Sequence, residues 1–267
     1  MRTAKTVLTV IQERGKQKKP IERVYKLLFN RELYLNAYAK LYPNNGAMTK
    51  GVTNETVDGM SIQKIDRMIE ILREEKYQWK PARREYIKKK NGKKRPLGIP
   101  VWGDKVLQEV MRQILEAYYE PQFSEHSHGF RPNRGCHTAL QEIQVWKGTR
   151  WFIEGDISQY FDTIDHKILL EILARNIHDG RFIRLVSNML EAGYLEEWKF
   201  KQTISGVPQG GVISPILANI YLNEFDNWIE EVLIPKYTKG KRQKSNPEYN
   251  KLTAEIQKLR KLPVYFK

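Results

Sequence analysis

The sequence predicts an α+β fold, rich in helix and poor in strand. Three observations lead to that class. Apolar residues recur at helical spacing through much of the chain, as at Val106, Leu107, Val110, Met111, Ile114 and Leu115. Residues 83–90 and 93–99 flank Asn91-Gly92, a strong short-range signal for a β-hairpin. Two further short runs, 151–155 and 198–204, look like strands, enough for one small antiparallel sheet backed by helices.

Taken in order, residues 1–42 read as helical, with Ile21, Val24, Leu27, Leu28, Tyr34, Leu35 and Tyr38 apolar and basic residues between them. Pro43-Asn-Asn-Gly46 breaks the pattern, and a Gly-, Thr- and Asn-rich loop runs to Gly59. Ser61 opens a helix with Ile62, Ile65, Ile69 and Leu72 on one face and Lys64, Arg67, Arg73 and Lys76 available to the other. The hairpin follows, carrying Arg83, Arg84, Lys88, Lys89, Lys93 and Arg95 on a stiff arm suited to phosphate contact. A helix spans 104–119. Residues 124–137 hold His126, His128, His137 and Cys136, whose spacing does not match the usual paired ligands of structural zinc. A turn-rich loop carrying Arg131 and Arg134 toward an anionic partner fits them better, before a helix over 136–146.

The stretch from Trp151 to Asp162 organises the rest. A buried strand over 151–155 would deliver Asp156 on a rigid element, followed by a turn and Phe161. On its own, such an aspartate is a turn former, a helix cap or a ligand for a hard cation such as Mg²⁺. Helices over 165–176 and 181–191 come next. Ser205-Gly-Val-Pro-Gln209-Gly210-Gly211 then feeds a helix over 216–233. Its glycines let backbone approach a ligand closely, and Gln209 can bond a base or sugar edge, although a plain Gly-Pro turn uses the same residues. A basic stretch over 236–261 contains a short amphipathic helix, 247–260.

Composition narrows the function classes. With 40% hydrophobic and 11% aromatic residues, a packed core is expected. No apolar run approaches membrane-span length, and residues 1–19 lack the apolar centre of a secretory leader. A cytoplasmic location is expected, with an organellar presequence the alternative. The single cysteine, Cys136, rules out an intramolecular disulfide and fits a reducing compartment. The net charge of +15 is unevenly spread. Residues 1–100 hold 24 Lys and Arg against 10 Asp and Glu, residues 101–235 hold 12 against 19, and residues 236–267 hold 10 against 2. Basic flanks around an acidic middle point to a polyanion, nucleic acid before membrane.

With these motifs laid out, the chain resembles the reverse transcriptases encoded by group II introns, the intron maturases, from about Gly46 to Leu233. Gly46-Ala-Met-Thr49-Lys-Gly51 with Thr56-Val-Asp58-Gly59 is similar to the family's N-terminal loop segment, and the 89–100 stretch to its fingers hairpin. His126-Ser-His-Gly-Phe130-Arg131-Pro-Asn-Arg134 with His137-Thr-Ala-Leu140 matches the next segment. Asp156 with Phe161-Asp162 matches the first catalytic palm motif, and Gly206-Val-Pro-Gln209-Gly-Gly211 with Ser214-Pro215 and Ala218-Asn219 the one after it.

The resemblance implies a right-hand polymerase fold, with residues 1–45 an N-terminal helical extension, 46–147 fingers and 148–267 part of the palm, interrupted by a basic insertion at about 236–263. It implies that Asp156 and the backbone carbonyl of Ile157 bind the Mg²⁺ ions of a two-metal displacement. Phe161 would be the steric gate against a ribose 2′-OH, Lys89 and Arg95 would hold the incoming triphosphate, and Gln209 would lie by the nascent base pair. Asp162 and Asp165 are expected to start helices and not to bind metal. The implied partners are group II intron RNA and, for the polymerase, RNA template, DNA primer and dNTPs. Candidate RNA contacts are Lys16, Lys18, Lys19, Arg23, Lys64, Arg67, Arg83, Arg84, Lys88, Lys93, Arg131, Arg134, Lys239, Lys241 and Arg242. The family's Tyr/Phe-x-Asp-Asp motif has no counterpart in these residues. The chain is therefore expected to be an inactive fingers and partial-palm fragment that binds RNA and is open to self-association. The alternative is a purely RNA-binding splicing cofactor built on a polymerase scaffold.

Overall fold

The computed structural model describes residues 3–88, 92, 94–146, 152–196, 199–201, 205–206, 210–237 and 247–260. The fold is α+β, as expected, and divides into two compact units, Met1–Glu224 and Phe225–Lys267.

The first unit is built around α4 (Trp102–Tyr119). Val106, Leu107, Val110, Met111, Ile114, Leu115 and Tyr118 are all fully buried, each contributing about 1.5–3 kcal/mol of transfer free energy on folding. Helix α1 (Ala4–Lys16) packs along α4, and α2 (Arg31–Leu41) packs beside it. The α1 crossing is close because Gly15 has no side chain, since a Cβ there would lie 2.1 Å from the Tyr118 carbonyl oxygen. Helix α3 (Ile62–Arg73) starts at Ser61, whose hydroxyl caps Lys64 N–H at 3.3 Å, and buries Ile65, Met68, Ile69 and Leu72. The continuous helical reading of residues 1–42 is thus broken into α1, a two-residue strand β1 (Ile21–Glu22), a 3₁₀ turn (Val24–Phe29) and α2. The break falls at Lys18 and Arg23, both at positive φ (50° and 56°), outside the α-helical region.

The hairpin forms as expected from β2 (Ala82–Lys88) and β3 (Lys94–Ile99), antiparallel with Lys88 opposite Lys94 and Ile87 opposite Arg95. That register is one residue off the one a two-residue Asn91-Gly92 turn would set, which would place residue 89 opposite 94. Gly92 in the connection takes φ +77°.

Later helices are α5 (Cys136–Gln144), the short α6 (Tyr160–Thr163), α7 (His166–Asn176) and α8 (Gly180–Glu191). Strand β4 (Ile177–His178), between α7 and α8, pairs parallel with β1. Strands β5 (Tyr194–Glu196) and β6 (Lys199–Lys201) form an antiparallel pair, and β5 joins β2 in parallel at Ala82 and Arg83. The small antiparallel sheet expected for the second half of the chain therefore extends the hairpin, giving the order β3-β2-β5-β6.

The strand expected at 151–155 is a correction. Residues 152–158 have no regular element, and Phe152 and Ile153 are 69% and 93% exposed. An apolar run becomes a buried strand only with a partner to pair with, and no described strand pairs with this one.

Helix α9 (Ser214–Trp228) buries Ile216, Leu217, Ala218 and Ile220 in the first unit. In the second unit, a π-helical turn (Ile229–Leu233) leads into α10 (Ile234–Tyr237), and α11 is Pro247–Arg260. Its apolar side chains Tyr249, Leu252 and Ile256 are half exposed at helical spacing. No helix among the described residues is long and apolar enough to cross a membrane.

Candidate nucleic-acid interface

Buried polar residues on α4 hold three loops. Asp104 accepts from the Tyr77 hydroxyl at 2.7 Å and the Lys80 N–H at 3.0 Å, fixing the approach to the hairpin. The Lys105 ammonium donates to the carbonyls of Gly46 (3.1 Å) and Thr49 (3.0 Å), tying down the Gly46–Gly51 loop. Gln108 Oε1 accepts from Val212 N–H at 2.9 Å, anchoring the far end of the glycine-rich loop. A buried polar group left unpaired costs about 1–3 kcal/mol, so each loop is held where its partner on α4 requires it. Burial raises the Asp104 carboxyl to about 6, against the pull of its Tyr77 and Lys80 bonds. Burial, with Arg83 nearby, draws Lys105 downward. Neither residue stood out in the sequence, because charged positions within an apolar helical period carry no mark of burial.

The glycine-rich loop is pinned at both ends by glycines in left-handed conformations. Gly206 (φ +88°) donates its N–H to the Ile164 carbonyl at 2.8 Å, and a Cβ there would lie 2.7 Å from the Phe161 carbonyl oxygen. His166 Nε2 donates to the Gly206 carbonyl at 2.6 Å, and the Ser205 hydroxyl donates to the Asp162 carbonyl at 3.2 Å. Gly210 (φ +104°) lies against the hairpin, where a Cβ would meet the Gly98 carbonyl oxygen and Leu97 Cδ1, each at 2.7 Å. One loop thus joins the segment after Asp156 to strand β3, which also carries Arg95. A cavity of about 210 Å³ opens beside this junction, lined by Thr49, Leu97, Gly98, Lys105, Gly210 and Val212 among others.

Asp156 and Ile157 sit in the exposed non-helical stretch before α6, so Asp156 is not carried on a strand. Asp165 caps α7 by accepting from Ile168 N–H at 3.0 Å, and Asp162 lies in α6, so both stand at helix starts. Phe161 is half-buried, its ring edge-on to Phe130 (centroids 6.4 Å apart) and to Tyr160 (5.7 Å). Tyr160 is itself fixed by a 2.8 Å bond from its hydroxyl to the Ala218 carbonyl.

The loop with three histidines is a hydrogen-bonded latch. His126 Nδ1 and His128 Nε2 both meet the Glu142 carboxylate on α5, the latter at 2.8 Å, and His128 Nδ1 meets the Thr138 hydroxyl at 2.8 Å. Those contacts hold the Glu142 carboxyl below the usual carboxylate range. Arg131, expected to face an anionic partner, instead points inward. It donates to the carbonyls of Ser124 (2.6 Å) and Ser127 (2.7 Å) and pairs with Glu120 at 2.9 Å, with its guanidinium almost wholly buried. A loop with this many inward-facing carbonyls needs a donor at its centre, and Arg131 supplies it. Arg134 is paired with Glu125.

The other basic candidates are placed as follows. Lys18, Lys19, Arg23, Lys64, Arg67, Lys88 and Arg95 are exposed. Lys16 pairs with Glu13 at 2.7 Å. Arg83 reaches the Lys50 carbonyl and Glu85, and Arg84 lies over the Tyr194 ring at 3.7 Å. Lys89, Lys93, Gln209, Lys239, Lys241 and Arg242 lie outside the described residues.

A pair of Mg²⁺ ions needs several converging carboxylates. Among the described residues no three His, Cys, Asp or Glu side chains come together to hold a metal. Asp156 and the Ile157 carbonyl, the ligands expected from the sequence, do not by themselves fit a two-ion group.

The family model for reverse transcriptase (RNA-dependent DNA polymerase) matches residues 87–241. The group II intron-encoded protein LtrA of Lactococcus lactis subsp. cremoris is 47% identical over 239 residues, 89% of this chain and 40% of that protein. An uncharacterized 91 kDa protein in a cob intron of Schizosaccharomyces pombe is also 47% identical, over 86% of this chain and 29% of its own length. The chain spans less than half the length of these curated relatives. Among solved structures, a chain of a partial Cas6-RT-Cas1–Cas2 complex superposes with a TM-score of 0.51 at 20% identity, covering 78% of this chain and 35% of that one. That likeness concerns the fold alone.

Proposed function

The chain belongs to the reverse transcriptases encoded by group II introns, and from that membership we propose that it forms the fingers and first part of the palm of an RNA-directed DNA polymerase that also binds intron RNA as a splicing maturase. In this reading residues 1–45 are an N-terminal extension, 46–147 the fingers and 148–267 the partial palm, with the basic insertion at about 236–263. The observation that carries it is the double anchoring of the glycine-rich loop, at Gly206 against Phe161–Asp162 and at Gly210 against Leu97–Gly98. The loop bounded by Gly206 and Gly210 thereby touches both the Phe161 segment and strand β3, which carries Arg95. Arg95 and Lys89 would contact the triphosphate, Gln209 the nascent pair and Phe161 the sugar. Asp156 would contribute one carboxylate to metal binding in the whole polymerase.

The exposed cations Lys18, Lys19, Arg23, Lys64, Arg67 and Lys88 would follow the RNA backbone, with the phosphates supplying most of the affinity. Arg131 is left out of that set because its guanidinium is already taken up inside the loop. That no three His, Cys, Asp or Glu side chains gather among the described residues favours a second reading for these 267 residues, RNA binding without polymerisation. Primer extension on poly(rA)/oligo(dT) with dTTP and Mg²⁺, beside RNA binding on the same sample, separates the two. Binding without extension is the expected result. Extension abolished by Asp156→Ala would show that these residues contain a working site.

A further inference from the structure

We propose that Phe130 is a positioning residue for Phe161, and that the two rings together form the wall that rejects a ribose 2′-OH; this rests on the polymerase reading above. Phe130 has φ +55° in the left-handed region, uncommon for a bulky side chain, yet its side chain is 69% exposed. Burial therefore does not explain the strained backbone. The surrounding structure imposes it from both sides. Gly129 accepts through its carbonyl from Asn219 Nδ2 of α9 at 2.8 Å. Arg131, the next residue, is clamped to Ser124, Ser127 and Glu120. The same loop is latched to α5 through His126, His128 and Glu142.

What these constraints deliver is one ring edge, meeting Phe161 at 6.4 Å between centroids and 84° between planes. Phe161 is thus flanked by Phe130 and, at 5.7 Å, by Tyr160. A gate of this kind works only if its ring cannot swing away from the sugar. Tyr160 is tethered to Ala218, and the Phe130 backbone is held through its chain neighbours, so Phe161 lies between two rings whose anchor points are held. Strain held by surrounding bonds is a usual way to fix a side chain where function needs it.

The test measures kcat/KM for a dNTP and the matching rNTP in the full-length protein that carries this chain, with template and primer. Phe161→Ala sets the scale by admitting ribonucleotides. Phe130→Gly removes the ring and suits the left-handed backbone, so thermal unfolding should be no lower than wild type. The dNTP preference should fall about tenfold, the ceiling for losing one edge-on aromatic pair. Phe130→Tyr should restore the preference and Phe130→Leu should fall between. An unchanged preference in Phe130→Gly while Phe161→Ala loses it would overturn the proposal, as would a lower kcat for both nucleotides at a constant ratio. A preference unchanged in Phe161→Ala would remove the gate reading itself, and this inference with it.

Discussion

Single atoms decide much at Gly210. Its φ of +104° and the 2.7 Å approach a Cβ would make to Gly98 and Leu97 leave no room for alanine. Gly210→Ala should destabilise the chain by about 1–3 kcal/mol in urea unfolding, through backbone strain and displacement of the loop from the hairpin. A variant within about 0.5 kcal/mol of wild type, a spread expected of a neutral surface change, would mean the packing there is not rigid. Arg131→Met should cost about 3 kcal/mol, since it leaves Glu120 and two carbonyls without their donor, while the salt dependence of RNA binding stays unchanged. Asp104 links stability to pH. Its folded carboxyl titrates near 6, above the usual unfolded value of about 3.9, so the folded state holds the extra proton between those values. Its contribution is full below pH 4 and fades as pH rises through 6, by up to about 3 kcal/mol. The stability gap between wild type and Asp104→Asn should therefore shift by about 2 kcal/mol between pH 4 and 7. A constant gap would contradict this. Sequence made some residues legible and others not. The helix cap at Asp165 follows from local chemistry, whereas the inward turn of Arg131 depends on Glu120 and on carbonyls whose direction only the folded loop sets.

Elements show the same division. Helices α3, α4, α7 and α8 and the β2–β3 hairpin were readable because their signals are local: period, cap and turn residues. The pairing of β5 with β2 joins residues more than a hundred positions apart over a two-residue register and leaves no local trace. The failed strand at 151–155 is the reverse case, an apolar run without a described pairing partner. Of the candidate site, the sequence offers the motif residues but gives no sign of the polar side chains of α4 that hold their loops. The hairpin carries a further expectation. Lys88 is exposed on β2, so Lys88→Gln should change stability by less than about 0.5 kcal/mol. The slope of log affinity for RNA against log salt should fall by about one unit, for the phosphate that no longer meets a cation. An unchanged slope would move the RNA path away from the hairpin.

At the scale of the whole molecule, charge and chemistry separate. The basic flanks carry the positive excess and the acidic middle carries Asp156, so binding and catalysis should respond to different substitutions. The most direct measurement is a salt titration of RNA binding by wild type and Asp156→Ala over about 50–200 mM salt, a range in which a protein neutralising roughly six to ten phosphates weakens roughly 10³–10⁵-fold. The expected result is two parallel, steep lines that coincide, with affinity set by cations and untouched by the aspartate. A flat line for wild type, or a large drop in affinity for Asp156→Ala, would contradict RNA binding through the exposed cations of the basic flanks.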